Sequence, residues 1–148
     1  MSVPASRFAG TVWAGLLFLS LFHAGSAWPA DPGRPGNLVM QLQARFGLSE
    51  SQVRGALGAL LVFAQDKLPQ SDFDDLARRV PNAQRTITDV KQQGIVTGPL
   101  DDVDEFERTL SNVGIGQPLA SQFAPAVLEY LRAAGYDRES GILAGVLD

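Results

Sequence analysis

The chain contains no cysteine and only one histidine, His23. Without cysteine there is no disulfide scaffold, no thiolate nucleophile, no finger-type zinc site and no residue to acylate as a lipoprotein. Charge is sparse and leans acidic, with 12 Lys and Arg against 16 Asp and Glu for a net charge of −4. Nucleic acid and anionic lipid both demand clustered positive charge, so neither suits as a partner. No nucleophile elbow, phosphate-binding glycine loop, dinucleotide fingerprint or metal-spaced cluster is present. A Ser-Lys or two-carboxylate enzyme is not excluded by inventory, but no pair of residues points to one. No cofactor is implied.

Long apolar runs are scarce too. The run from Val12 to Phe22 is about half the roughly 20 residues needed to span a bilayer. Arg7 precedes it and Gly25-Ser26-Ala27 follows it, the layout of a secretory signal peptide with small residues at both recognition positions. Cleavage is expected after Ala27; cleavage after Ala30 would place bulky Trp28 where a small residue is wanted. The alternative is an uncleaved membrane anchor. Residues 1–27 are therefore read as a signal peptide, with export to the periplasm or beyond and membrane contact only through that segment. Cleavage would remove His23, and loss of Arg7, the segment's only charged residue, would take the net charge to −5. The remainder would fold on its apolar core alone, and Trp28 to Asp148 is long enough to build one.

Residues 28–36 read as an extended linker, because Pro29, Pro32 and Pro35 remove backbone donors and Gly33 and Gly36 add freedom. From Asn37 the apolar spacing is helical, so residues 37–148 are expected to form a single all-α domain, a small bundle of five to seven short helices. Leu38, Val39, Leu42 and Phe46 make a first stripe, closed by Gly47. Ser49 and Gln52 have capping-box spacing, and the next helix should bury Val53, Ala56, Leu57, Leu60, Leu61, Ala64 and Leu68 on one broad face. Ser71 and Asp74 repeat the starting signal for a short helix with Phe73, Leu76 and Val80 inward, closed by Pro81.

Residues 82–98 are ambiguous: Ile87 and Val90 suit a helical turn or two, whereas Gln92-Gln93-Gly94 and Gly98-Pro99 look like loop. A helix is expected from about Leu100 to Val113, another from Leu119 to Ala134, kinked or split by Pro125, and a last one over Ile142, Leu143, Val146 and Leu147. A faint internal echo runs at an offset of 67 residues. It pairs Gly47-Leu48 with Gly114-Ile115, and Ala59, Leu60, Leu61 and Phe63 with Ala126, Val127, Leu128 and Tyr130.

Most candidate chemistry has a plain structural rival. Asp101, Asp102, Asp104 and Glu105 offer oxygens to a hard cation, but the glycine and distal bidentate Glu of a calcium hand are missing. Acidic residues in a first helical turn are expected from the helix dipole, as are Asp72, Asp74 and Asp75, while Arg78-Arg79 complement its negative end. Gly55, Gly58 and Ala59 say more, because glycine inside a helix costs about 1 kcal/mol against alanine. That small face should let another helix approach closely, in the same molecule or in a partner. Phe63, Phe106, Phe123 and Leu128 are candidates to line an apolar groove. Tyr130 and Tyr136 either edge a ligand pocket or simply pack their rings.

Two blocks carry a resemblance. One comprises Phe46-Gly47-Leu48-Ser49, Gln52, Gly55-Ala56, Gly58-Ala59-Leu60, Ala64, Lys67-Leu68, Asp72-Phe73, Leu76 and Val80-Pro81. The other comprises Gly114-Ile115, Gln122-Phe123, Pro125, Val127-Leu128 and Tyr130. Together they resemble the VcgC/VcgE-type bacterial proteins of unknown function over most of Leu38 to Leu147. Gly116 and Gln117 stand where the family's Ser-Pro helix start is expected, and residues 82–98 are less glycine-rich than usual. The resemblance implies a small exported helical protein and carries over no catalytic residue. The expected function is a non-enzymatic interaction or structural module of the cell envelope, with a protein partner or self-association. The alternative is a carrier for a small apolar ligand such as a fatty acyl chain.

Overall fold

A computed structural model describes residues 37–148. The expected signal peptide and linker lie outside the described residues. Seven α-helices and one 3-10 turn make up the described chain, with no strand among them. The helices are α1 (Asn37–Phe46), α2 (Glu50–Lys67), α3 (Gln70–Ala77), α4 (Ala83–Gln92), α5 (Val103–Leu110), α6 (Gln117–Ala133) and α7 (Asp137–Leu147), with the 3-10 turn Ser111–Val113 after α5.

The capping box opens α2. Ser49 Oγ accepts from the Gln52 amide at 3.2 Å, and Gln52 Oε1 accepts from the Ser49 amide at 3.0 Å. Two otherwise unpaired amides are thereby satisfied. The Gln52 side chain also donates to the Val113 carbonyl at 3.1 Å, tying the start of α2 to the 3-10 turn. Beyond that first turn α2 departs from expectation. Every residue from Gly55 to Ala64 is buried, so the helix is sheathed on all sides rather than on one face. It packs on α1, α3, α4, α5 and α7 and forms the centre of the core. Helices apolar all round belong inside a protein; glycine and alanine on the far face of α2 make that character hard to see.

Three boundaries differ from the sequence expectation. Pro69, not Ser71, precedes α3: its carbonyl accepts from the Asp72 and Phe73 amides, both at 3.0 Å, and Ser71 provides no cap. The ambiguous stretch contains α4, whose Ala83, Ile87 and Val90 are buried at helical spacing. Asn82 enters it at φ 54, a left-handed conformation that asparagine tolerates better than most residues. The helix expected from Leu100 begins at Val103, because Asp102 takes the N-cap and accepts from the Glu105 amide at 2.7 Å. Glu105 returns the bond, accepting from the Asp101 amide at 3.0 Å.

Pro125 does not split α6, which runs as one helix from Gln117 to Ala133. Pro125 and Ser121, the residue whose carbonyl loses its partner, both lie on the exposed side, where loss of one intrahelical bond costs least. The internal echo reappears in the fold. α2 and α6 begin at residues 50 and 117, and α3 and α7 at 70 and 137, the same 67-residue offset in each case. Gly47 and Gly114 hold matching left-handed turns ahead of the long helices, at φ 65 and φ 79. The α2–α3 and α6–α7 pairs therefore repeat in order and spacing.

Candidate functional site

Gly55, Gly58 and Ala59 are covered within the molecule. A Cβ on Gly58 would lie 2.3 Å from Val90 Cγ1 and 3.0 Å from the Thr86 carbonyl of α4, and one on Gly55 would lie 2.6 Å from Val113 Cγ1. Ala59 is fully buried. This face lets α4 and the 3-10 turn close on α2, so as a docking surface it is corrected: its partner is already in place.

The four proposed groove residues do not line one groove. Phe63 stacks on Phe106 with ring centroids 5.8 Å apart, and Phe123 stacks on Phe46 at 6.1 Å. All three named phenylalanines are almost wholly buried, and only Leu128 is half-exposed. Phe123 is filled-in core, whereas Phe106 and Leu128 border one cleft beside α7 and Phe63 borders its neighbour.

Solvent-accessible clefts lie beside Val39, Leu57 and Val80 (about 360 Å³) and beside Val62, Val96 and Pro99 (about 530 Å³), and two more adjoin α7. One open cleft of about 590 Å³ is bounded by Phe63, Leu68, Val103, Ile142 and Val146, with Gly141 and Gly145 in its wall. A second, of about 480 Å³ across the end of α7, is bounded by Phe106, Ala124, Leu128, Ala144 and Leu147. Val103 and Asp148 border both clefts, and the Phe63–Phe106 pair stands between them. A Cβ on Gly141 or Gly145 would meet nothing within 4 Å. Spaced four apart, the two glycines share one helix face. Unlike Gly55 and Gly58, they have no contact among the described residues that requires glycine.

Titratable groups gather where α7 meets α3. Arg79 Nε donates to Glu139 Oε1 at 2.8 Å, and its guanidinium lies 4.4 Å from the centre of the Tyr136 ring. Arg138 reaches Asp75 at 3.1 Å and Asp72 at 3.6 Å, while Arg78 pairs with Asp75 at 2.6 Å. Glu139 is only 7% exposed. Burial acts to raise its carboxyl, but the Arg79 hydrogen bond, a backbone hydrogen bond and the Arg79 and Arg138 charges together hold it below the usual range. Burial pushes the Tyr130 phenol upward, with Tyr136 adding to the effect. Arg79 therefore does more than complement a helix end: with Arg138 it fastens the α3 end to α7, whereas Arg78 stays local to α3, donating to the Asp74 carbonyl and pairing with Asp75. The sequence reading missed Glu139 and the α7 glycines; a Gly-x-x-x-Gly spacing in the last helix was the available signal.

Among the described residues no group of three or more acidic or imidazole side chains is placed to hold a metal ion, and no helix is long and apolar enough to cross a membrane. The family model described as protein of unknown function VcgC/VcgE (DUF2780) matches residues 23–147. The chain belongs to the VcgC/VcgE family. No curated protein and no solved structure matches it.

The VcgC/VcgE match takes in α1 to α7 together, so both α7 clefts, apart from Asp148, lie within the family region. Gly116 occupies the N-cap of α6 with no side-chain bond, whereas Ser49 at the matching place before α2 caps fully.

Proposed function

We propose that the chain is an exported, non-enzymatic binding module of the bacterial cell envelope, working in the periplasm or beyond after removal of residues 1–27. The observation that carries this reading is the open Gly141 and Gly145 face of α7, set in the wall of an apolar-floored cleft. Each helical glycine costs about 1 kcal/mol against alanine, and nothing among the described residues offsets that cost here. A non-enzymatic role is supported by how the charged side chains are used. Asp102 and Glu105 cap α5, and Arg79, Glu139, Arg138 and Asp75 join α3 to α7.

The carrier reading is weaker, because the phenylalanines that would enclose an acyl chain stack on one another and both α7 clefts are open. Fractionation with N-terminal sequencing tests export: protein beginning at Trp28 in the soluble periplasmic or extracellular fraction is expected, and intact Met1 in membranes would contradict it. Native mass spectrometry of protein purified from its own envelope tests the surface. The wild-type chain should travel in a complex that Gly145→Trp loses while keeping its Tm. A variant that keeps the complex would move the working surface elsewhere.

A further inference from the structure

We infer that the cleft walled by Gly141 and Gly145 receives a basic amphipathic helix of a protein partner. The inference rests on the reading of the α7 face as a binding surface and assigns the chemistry of what binds there. Three features of the cleft agree. Its floor is apolar, from Phe63, Leu68, Val103, Ile142 and Val146. Its glycine wall brings bare backbone to the surface, and small residues at four-residue spacing allow a second helix to approach closely. Its rim is acidic, with Asp72, Asp101, Asp102 and Asp148 against a single cation, Lys67.

Charge decides between occupants. Asp101, Asp102 and Asp148 form no ion pair among the described residues, and Asp72 has only the 3.6 Å approach of Arg138. A fatty acid would bring a carboxylate into that field. A second copy would set the same acidic rims against each other, since a twofold interface brings like patches together. A helix with leucines at i, i+3, i+4 and i+7 and lysines or arginines flanking them satisfies both floor and rim. Complementary charge also speeds encounter and suppresses wrong partners.

A fluorescent 18-residue leucine–lysine amphipathic peptide serves as probe, with a leucine–glutamate peptide of the same pattern as control, titrated against the protein as recovered from the envelope. Saturable binding of the basic peptide is expected, with none of the acidic one. Amide NMR shifts should centre on Gly141, Gly145 and Val103. The double change Asp101→Asn and Asp102→Asn, which keeps a competent cap on α5, should weaken binding about tenfold, and raised salt should do the same. Gly145→Leu should weaken it as much by blocking the wall. Loss with the Asn changes but not with Gly145→Leu would reveal charge attraction without a groove and overturn the inference, as would equal binding of the acidic peptide. Gly145 shifts that appear on concentrating the protein alone would assign the face to a second copy and overturn it too. If the basic peptide fails to bind while Gly145→Trp still abolishes the envelope complex, the charge assignment falls and the surface stands. If that complex survives Gly145→Trp, the surface falls with it.

Discussion

Gly58→Ala reverses the usual sign of a helix substitution. Alanine in an exposed helix interior stabilises by about 1 kcal/mol relative to glycine. At position 58 the new methyl would lie 2.3 Å from Val90 Cγ1 and 3.0 Å from the Thr86 carbonyl. Val90 is buried and β-branched, so it cannot rotate away cheaply, and the carbonyl belongs to the backbone of α4. Overpacking of this kind costs about 1 to 3 kcal/mol. Set against the propensity gain, the net change is a loss of about 0 to 2 kcal/mol. Gly145→Ala, with open space around its Cβ, should gain up to about 1 kcal/mol. Urea unfolding followed by circular dichroism measures both, and a companion Val90→Ala isolates the contact. In the Val90→Ala background the penalty at position 58 should shrink, with a coupling energy on the order of 1 kcal/mol. If Gly58→Ala stabilises as much as Gly145→Ala, and Val90→Ala leaves its effect unchanged, the close approach of α4 to α2 is refuted.

Glu139 sets a pH dependence. Its carboxyl titrates lower when folded than when unfolded, so its contribution is fully present above the ordinary carboxylate value of about 4.3 and is lost as pH falls through the folded value. Glu139→Gln should lower Tm at neutral pH and match the wild type near pH 2; equal Tm at pH 7 would contradict the Arg79 pairing. Asp102→Ala should cost about 1 kcal/mol by removing a cap, while Asp102→Asn should cost a few tenths, as read from denaturant midpoints. Calcium and EDTA should both leave the thermal melt unchanged, because Asp102 and Glu105 are already engaged as helix caps; a calcium-dependent rise of several degrees would contradict that assignment.

The legible parts of the fold are those where one residue type has one local use. Ser49 with Gln52 and the left-handed Gly47 mark the start of α2 and the end of α1 from sequence alone, because capping geometry needs no distant partner. The length of α4 was obscured by its mostly polar residues, whose only inward members are Ala83, Ile87 and Val90. Pro125 signalled a kink or a split, and the split does not occur, since a lost amide bond costs little where the orphaned carbonyl belongs to an exposed residue. The proposed working surface is the least legible part. Gly55 and Gly58 in α2 look much like Gly141 and Gly145 in α7, and what separates them is an atom 2 to 3 Å away in one case and open space in the other. Gly55 and Gly58 let α4 and the 3-10 turn close on α2, while the open Gly141 and Gly145 carry the proposed binding face of α7.

The most direct test of that distinction is site-specific photocrosslinking in living cells, with benzoylphenylalanine placed at Gly145 or, as a control, at Gln84 on the exposed side of α4. Irradiation should give a discrete higher-mass adduct from position 145 and none from position 84. No adduct at 145, or the same adduct at both positions, would contradict the assignment of the α7 face as the surface through which this protein works.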